Sequence, residues 1–337
     1  MTTDKHERLK AIENIFISSP HIQEIIDDIE DFRKWAKFNE YRTEPDCILV
    51  TGGPGSGKTW LIEKMNELNP RIEEEDRTKI QILSSSIPKA RTPKPVVQTL
   101  LRDIGDPLLG RGDTIDSLTK RLVTLIENTG VELIIIDEFQ HCIESYSKKV
   151  LHDIGDWLKT LINDSKRPIV LFGMTWSDII LETNPQLARR FPIHHSMPVY
   201  TEKNFSDFLQ FLGEVEKQLP FKNSSGLTQN ELAFRLLCCS NGNIGTLMKN
   251  IIKKAAIKAV KFNLNSIPLE YISDAVEKFC GYSKENNLML KPIDSILFET
   301  QDDYNYFPNH KINISSFDEN NKISVTFSEF EKNLTKH

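Results

Sequence analysis

The sequence is short of the features that mark non-globular, secreted and polybasic proteins. Glycine (15) and proline (16) are too few among 337 residues for a collagen-like or low-complexity chain. Lysine plus arginine (42) do not outnumber aspartate plus glutamate (48), so the net charge of −6 argues against attachment to nucleic acid or membranes by bulk charge. What remains is an ordinary globular composition, 39% hydrophobic and 27% charged, long enough for two domains.

Long apolar runs and paired cysteines are also missing. The start of the chain has no apolar core of signal-peptide length, and the longest strongly apolar stretches, 133–136 and 169–172, have the length of strands. We therefore expect a cytoplasmic protein that does not contact membranes. The cysteines are odd in number and form no C-x-x-C pair, which favours small core residues over disulfides or a zinc site. They are Cys47, Cys142, Cys238, Cys239 and Cys280.

The pattern of strand and helix signals divides the chain into four segments. Residues 1–45 form an N-terminal helical segment. Residues 46–200 alternate buried strand runs with amphipathic helices, which predicts an α/β core in which helices sandwich a parallel sheet. Strand signals then stop, so residues 201–280 are predicted to form a small all-helical domain. Residues 281–337 are predicted to be a tail, partly disordered or docking a partner, with packing back on the helical domain as the alternative.

A glycine-rich turn follows the first buried strand run. Residues 52–59, Gly-Gly-Pro-Gly-Ser-Gly-Lys-Thr, fit G-x-x-x-x-G-K-[ST] and lie between a strand and a helix, which is the context this phosphate-binding motif requires. Glycines let backbone N–H groups surround phosphates, and the following helix adds its positive N-terminus. We expect Lys58 to reach the β- and γ-phosphates of ATP and the Thr59 hydroxyl to ligate Mg²⁺.

Two consecutive carboxylates end another buried strand run. Because carboxylates are costly inside a sheet, Asp137 and Glu138 are predicted to project from its carboxyl edge, where open α/β sheets bind ligands. Asp137 is expected to hold Mg²⁺ through water, and Glu138 to polarise the water that attacks the γ-phosphate. The predicted nucleotide-binding residues are Gly53, Pro54, Gly55, Ser56, Gly57, Lys58, Thr59 and Asp137.

Two arginines on a helix predicted over residues 184–190 are candidates for a further catalytic role. Phosphoryl transfer needs positive charge on the γ-phosphate oxygens, and in oligomeric ATPases that charge often comes from a neighbouring subunit. Arg190 is the first candidate for this arginine finger and Arg189 the second. An ordinary surface role in an intramolecular salt bridge is the open alternative.

Four motifs in this order point to a known family. They are the phosphate loop, Ile134-Ile-Ile-Asp-Glu-Phe-Gln-His141, Pro168-Ile-Val-Leu-Phe-Gly-Met174 and Pro185-Gln-Leu-Ala-Arg-Arg-Phe191. Together they resemble the TniB/TnsC family of AAA+ ATPases that regulate DNA transposition. The likeness covers roughly residues 15–280 and is especially to the TnsC proteins of CRISPR-associated transposons and their close relatives. The second and fourth motifs are fairly specific to the family, whereas the phosphate loop is not.

The resemblance implies an AAA+ core with a helical lid domain. It also implies ATP-dependent assembly on target DNA, as rings or helical filaments, that connects a target-selection protein of the TniQ type to the transposase. ATP turnover would then time disassembly or target choice. One position departs from the wider pattern, because Gly242-Asn-Ile-Gly245 has glycine where many AAA+ proteins carry a lid arginine. We therefore expect hydrolysis to be slow or to depend on partners.

A local basic excess lies in residues 86–121, where seven basic residues face four acidic ones. Such an excess is enough for contacts to DNA phosphates. In AAA+ assemblies that encircle DNA, loops in this part of the fold face the axis, so the resemblance implies contacts by Lys94, Arg111 and Thr114. The segment has no aromatic residue to stack on bases, which predicts sequence-independent binding to double-stranded DNA. A solvated face of two amphipathic helices is the alternative.

Two other functions fit the nucleotide motifs. One is a signalling or scaffold switch that binds ATP and protein but no DNA. The other is a replication-type loader of a helicase or clamp, which shares the fold and differs mainly in its partner.

Overall fold

The computed structural model describes most of the chain. The described residues are 2–75, 78–143, 148–197, 199–299 and 324–327. They belong to two compact units. The α/β unit is residues 20–197, and the helical unit joins residues 1–19 to the chain from residue 198 onward. The helix α1 (Thr2–Glu13) thus belongs to the helical unit, whereas the sequence analysis grouped residues 1–45 together.

A parallel sheet forms the centre of the α/β unit. The strands of this unit are β1 (Ile48–Thr51), β2 (Ile72–Glu73), β3 (Thr78–Lys79), β4 (Ile82–Ser86), β5 (Leu133–Asp137), β6 (Ile169–Gly173) and β7 (Ile193–Ser196). The five-stranded sheet has the order β4-β5-β6-β1-β7, and all its neighbouring pairs are parallel. β2 and β3 pair separately as a short antiparallel hairpin. The predicted parallel α/β architecture is confirmed.

Helices cover both faces of this sheet. They are α2 (Pro20–Phe38), α3 (Lys58–Leu68), α4 (Pro93–Ile104), α5 (Ile115–Thr129), α6 (Gln140–Ile143), α7 (Lys148–Ser165), α8 (Ile179–Thr183) and α9 (Pro185–Ala188). α2 and α3 pack on the face to which Leu133 and Ile135 of β5 point. Ile134 and Ile136 point to the other face and are also fully buried, which requires a second helical layer there. α4, α5 and α7, which pack together, supply this layer.

The helical unit contains a predominantly aromatic and aliphatic core. Its further helices are α10 (Phe205–Gln218), α11 (Asn230–Ser240), the π-helical segment Thr246–Ile252, α12 (Lys253–Lys261) and α13 (Leu269–Cys280). α1 packs against α12, and Arg8 of α1 donates to the backbone oxygens of Pro220 (3.0 Å) and Leu264 (2.8 Å). Gly245, which stands where a lid arginine is often found, directly precedes the π-helical segment.

Part of the predicted tail packs on the helical unit. The strands β8 (Leu297–Glu299) and β9 (Ser324–Thr326) form an antiparallel pair. Phe298 and Phe327 enter the core, and the Phe327 ring lies 5.3 Å from the Phe234 ring, between centroids. Asn287 is fully buried and donates to the Ser273 oxygens. These parts of the tail pack on the helical unit, which is the second of the two arrangements considered for it. The rest of the predicted tail, residues 300–323 and 328–337, lies outside the described residues.

Two expectations about composition can be compared with the structure. Among the helices of the described ranges, none is long and apolar enough to cross a membrane. Four of the cysteines are buried, and burial raises the pKa of the Cys47 and Cys142 thiols to about 12. Both thiols are therefore protonated at neutral pH, which agrees with the role of small core residues.

Gly242 provides a test of packing in the helical unit. Its φ is +69°, and a Cβ atom there would lie 1.7 Å from the Tyr200 carbonyl oxygen. We expect Gly242→Ala to lower the free energy of unfolding by about 3–5 kcal/mol, because left-handed strain and overpacking act together. Gly281→Ala is the matched control, since its φ is +78° and no described atom lies within 4 Å of the added Cβ. That change should cost only about 1–2 kcal/mol. Urea denaturation followed by circular dichroism measures both, and equal losses would contradict the packing.

Candidate nucleotide-binding site

The phosphate loop connects β1 to the first residue of α3. Gly55 and Gly57 have φ values of 73° and 101°, a left-handed region that glycine adopts without steric strain. The helix begins at Lys58, and the Leu61 N–H donates to the Gly57 carbonyl (2.9 Å), which closes the first turn. The chain therefore reverses sharply from strand into helix. The N–H groups of the first helical turn are left available for a phosphate at this position.

The loop is closely packed at its base. A Cβ atom on Gly52 would lie 2.6 Å from Ser56 Oγ and 2.7 Å from Met197 Cβ, so no larger residue fits there. The Met197 Cε atom also lies 3.5 Å from where a Cβ on Gly57 would be. Met197 is buried and follows β7, and it therefore fixes the shape of a loop far away in sequence. No local pattern in the sequence points to this role of Met197.

Lys58 lies inside the curve of the loop. Its side chain is buried, and Nζ donates to the carbonyl oxygens of Gly52 (2.5 Å) and Gly53 (3.0 Å). Ser56 Oγ is a further contact at 3.4 Å. The ammonium group thus lies inside the loop, which is the region where this motif binds β- and γ-phosphates in the proteins that carry it.

Asp137 is the last residue of β5 and is only 7% exposed. Its Oδ1 atom accepts a hydrogen bond from the Glu138 N–H (2.8 Å). Burial raises the pKa of Asp137, the neighbouring Glu138 charge adds to this, and Lys58 opposes it. The Thr59 side chain also lowers this pKa, so the two predicted Mg²⁺ ligands, Thr59 and Asp137, lie near each other. Hydroxyl and carboxylate oxygens are the donors that Mg²⁺ prefers, so the residues fit the ion.

Glu138 has a different environment from its neighbour. Its φ of 57° lies in the left-handed region, which is uncommon for glutamate and often found at functional sites. The following N–H, of Phe139, donates to the Phe172 carbonyl oxygen of β6 (2.9 Å). The Glu138 carboxylate remains 37% exposed, accepts a hydrogen bond from Gln140 and lies 3.6 Å from His141 Nε2. One carboxylate is thus buried and the other accessible to water, which suits the two predicted roles.

Three buried polar atoms without hydrogen-bond partners lie on segments that follow β5 and β6, and others of this kind lie elsewhere in the described residues, such as on Arg33 and Glu202. Within the described part of the chain, no hydrogen-bond partner is found for the three atoms on these segments, which are Gln140 Oε1, Thr175 Oγ1 and Ser177 Oγ. Thr175 and Ser177 follow β6, whose last residue, Gly173, accepts a hydrogen bond from the Gly52 N–H (3.1 Å). Unpaired buried groups are uncommon and often mark a functional site. The sequence gives little indication of these atoms, apart from a short polar run directly after a buried strand.

The two candidate arginines lie at the opposite edge of the sheet. The Arg190 carbonyl accepts a hydrogen bond from the Cys47 N–H (2.6 Å), immediately before β1 begins. The phosphate loop follows the other end of β1, about 16 Å away at a strand rise of about 3.3 Å per residue. The Arg190 guanidinium pairs with Glu44 and donates to Asn163 Oδ1 (3.2 Å), while Arg189 is exposed. The structure therefore does not bring these arginines to the phosphate loop of their own chain.

The helix predicted over residues 184–190 is shorter in the structure than in the prediction, because α9 ends at Ala188 and so contains neither arginine.

The three candidate DNA contacts surround one loop between α4 and α5. Lys94, near the start of α4, donates through Nζ to the Asp113 carbonyl oxygen (2.9 Å). Thr114 is the N-cap of α5, and its Oγ1 accepts a hydrogen bond from the Ser117 N–H (3.2 Å). Arg111 lies between them in sequence and is exposed. The structure thus brings Lys94, Arg111 and Thr114 together, as a common DNA surface requires.

Solved structures establish the class of fold. The chain is similar to the ORC2 protein of Aeropyrum pernix, solved in ADPNP–ADP complexes, with 15% identity, a TM-score of 0.53 and coverage of 80% of this chain and 71% of that chain. It is similar to Cdc6p of Pyrobaculum aerophilum, with 14% identity, a TM-score of 0.58 and coverage of 85% and 74%. It is also similar to the A. pernix ORC1 protein in complex with DNA, with 14% identity, a TM-score of 0.51 and coverage of 80% and 69%. The chain has the AAA+ P-loop fold.

The family follows from the sequence match. The family model described as "Bacterial TniB protein" matches residues 8–200, which is more than half of the chain. Comparison with curated proteins gives no match. The chain belongs to the TniB family, and the resemblance found in its motifs is confirmed.

The buried carboxylate of Asp137 gives a test of the site. Because its pKa is raised, the folded protein holds the proton more readily than the unfolded chain, and the ionised carboxylate opposes folding above that pKa. Asp137→Asn keeps the oxygen that accepts the Glu138 N–H, and we expect it to raise the Tm of the nucleotide-free protein by about 2–4 °C at neutral pH. The gain should shrink as the pH falls through the raised pKa of Asp137, and it should vanish below the ordinary aspartate pKa of about 3.9, where the carboxyl is neutral in both the folded and the unfolded chain.

Differential scanning calorimetry over this pH range measures the effect. Asp153→Asn, at an exposed position on α7, is the matched control and should leave Tm nearly unchanged. A Tm of Asp137→Asn that is lower than that of the wild type at neutral pH would contradict the assigned environment.

Proposed function

We propose that this TniB-family protein is a Mg²⁺- and ATP-dependent regulator of DNA transposition. In this proposal it oligomerises on target duplex DNA and links a TniQ-type target-selection protein to the transposase. ATP hydrolysis controls assembly and disassembly. The observation that carries the proposal is the joining of Lys58, Asp137 and Glu138 at one edge of the sheet in a chain of the TniB family.

In this proposal each residue of the site has a separate role in ATP binding or hydrolysis. Lys58 and the loop N–H groups bind the β- and γ-phosphates. Thr59 and Asp137 would hold Mg²⁺, which when bound neutralises charge on the phosphates. Glu138, accessible and next to them, orients and polarises the attacking water. Gln140 donates to the Glu138 carboxylate and in this way fixes its orientation.

The separation of the arginines from the phosphate loop supports an oligomeric site. Arg190 lies at the amino edge of the sheet, so no side-chain rotation brings its guanidinium to a γ-phosphate bound at the carboxyl edge of the same chain. In a head-to-tail ring or filament, the amino edge of one subunit can face the carboxyl edge of the next, so that this arginine reaches the nucleotide of its neighbour. Arg190, or failing that Arg189, therefore acts on the nucleotide of the adjacent subunit.

The loop between α4 and α5 supports binding to DNA. Lys94, Arg111 and Thr114 lie around it, and contacts to phosphates from such groups carry no sequence information. An ORC1 protein of similar fold was solved in complex with DNA, which supports DNA binding by a protein of this fold. A replication-type loader would share both features and would differ in the partner protein that it engages.

A mixing experiment tests the shared site. We expect Glu138→Gln and Arg190→Ala each to keep ATP binding but to lose about 10²-fold or more in ATPase rate. In a mixed assembly, an Arg190→Ala subunit retains Glu138, and a neighbouring Glu138→Gln subunit supplies Arg190. Mixing the two variants in equal amounts should therefore restore up to roughly a quarter of the wild-type rate, given random head-to-tail order.

Steady-state phosphate release measures this rate. The control is a mixture of Lys58→Ala with Glu138→Gln. The former subunit cannot bind ATP and the latter cannot hydrolyse it, so no active site forms. Normal turnover in Glu138→Gln alone, or no recovery in the first mixture, would contradict the assigned roles.

Assembly on DNA tests the proposed function as a whole. With duplex DNA and a non-hydrolysable ATP analogue, we expect rings or filaments by electron microscopy. Lys94→Glu/Arg111→Glu should abolish them and lower DNA affinity by more than about tenfold, with a salt slope reduced by about two. Lys34→Glu/Arg42→Glu, which reverses two exposed charges elsewhere, is the matched control. If the chain stays monomeric with both ligands present, the proposal is wrong.

A further inference from the structure

The connection between α4 and α5, residues 105–114, is held in one conformation by a buried carboxylate. We call it the 105–114 loop. The Asp106 side chain is 1% exposed, and its Oδ2 atom accepts the Gly110 N–H (2.8 Å) and pairs with Arg121 Nη2 (3.0 Å). Arg121 also donates to the Arg111 carbonyl oxygen (2.7 Å). These bonds close the loop on itself and tie it to α5.

The other side of the loop is fixed to α4. Gln98 donates to the Gly110 carbonyl oxygen (3.1 Å), and a Cβ atom on Gly110 would lie 2.6 Å from the Gln98 carbonyl oxygen. Lys94 donates to the Asp113 carbonyl oxygen further along the loop. Contacts to both flanking helices therefore preorganise the loop.

This rigid loop exposes two adjacent leucines. Leu108 is 54% and Leu109 is 63% exposed, so neither contributes much to the core. Leu109 also has a φ of 52°, in the left-handed region where glycine or asparagine is ordinary and leucine is strained. Folding alone thus gives no reason for leucine at this position. Strain retained at an exposed site is commonly a sign of function.

Exposed cations flank the two leucines on the loop and on both neighbouring helices: Arg102, Arg111 and Lys120. Asp106 is buried and paired with Arg121, whereas Asp113 and Asp116 are exposed acids of the same region. The segment 86–121 has seven basic and four acidic residues in a chain of net charge −6. A partner that is anionic outside and apolar inside fits a leucine tip with cationic flanks, and duplex DNA has this combination of phosphates and base faces.

We propose, on the basis of the DNA binding proposed above, that Leu108 and Leu109 form an apolar wedge that enters the minor groove of the target duplex and unstacks a base step. Arg111 and Lys94 hold the phosphates on either side. The protein therefore deforms the DNA on which it assembles. Because deformable steps such as TA are the easiest to unstack, the wedge gives a preference among targets without hydrogen bonds to bases.

The wedge predicts separate effects on affinity and on DNA shape. The probe is a duplex of about 30 base pairs that carries 2-aminopurine beside a central TA step, with full-length protein and a non-hydrolysable ATP analogue. Wild type should raise the 2-aminopurine fluorescence, which reports unstacking. Leu108→Ala/Leu109→Asn should lose this rise and bind about tenfold more weakly, with an unchanged salt slope because the phosphate contacts remain.

Two controls separate the wedge from a structural role. Asparagine tolerates the left-handed backbone, so the double variant should have a Tm equal to or above that of wild type. Leu68→Ala removes a leucine of similar exposure (66%) from α3 and should change neither fluorescence nor affinity.

The outcomes are distinct. Wild type that binds no duplex overturns both this inference and the DNA binding on which it rests. Wild type that binds, with a double variant of equal affinity and equal fluorescence, overturns the wedge alone. A double variant that fails to oligomerise even without DNA assigns the two leucines to a contact between subunits, and this also overturns the wedge.

Discussion

The parallel register of β5, β6 and β1 is the constraint on which the site depends. Because the three strands are adjacent and run in one direction, their carboxyl ends meet, and with them Asp137, Gly173 and Gly52. Two backbone hydrogen bonds, from Gly52 to Gly173 and from Phe139 to Phe172, fix these ends to one another. The lysine of the phosphate loop and the two carboxylates are positioned by the sheet, so the chemistry of the site rests on main-chain geometry.

The same register also separates functions. Whatever follows a strand lies at the carboxyl edge, and whatever precedes one lies at the amino edge, where Arg190 pairs with Glu44. A chain built in this way holds the nucleotide-binding half of an active site at one edge and the arginine at the other. In the proposed oligomer the two halves meet only between copies, so activity would depend on assembly. DNA that promotes assembly would then promote turnover.

Much of the fold and the centre of the site were predictable from the sequence. The buried strands read as short apolar runs, since both faces of a parallel sheet are covered, and the phosphate loop and Asp137-Glu138 have local signatures. The left-handed backbone at Glu138, the packing of Met197 against the loop and the unpaired oxygens of Thr175 and Ser177 were not predictable. Each arises from contacts between residues far apart in sequence, which leave no local pattern.

The sequence by itself determined the class of chemistry that we propose, because phosphate binding and water activation need particular residue types at particular spacings. It also determined the alternation of strands and helices and the local basic excess in an acidic chain. Tertiary structure alone decided which carboxylate is buried, at which edge the arginines lie, and that Lys94, Arg111 and Thr114 surround one rigid loop with two exposed leucines. The reason is physical: burial, strain and distance are properties of packed neighbours, whereas motifs are properties of consecutive residues.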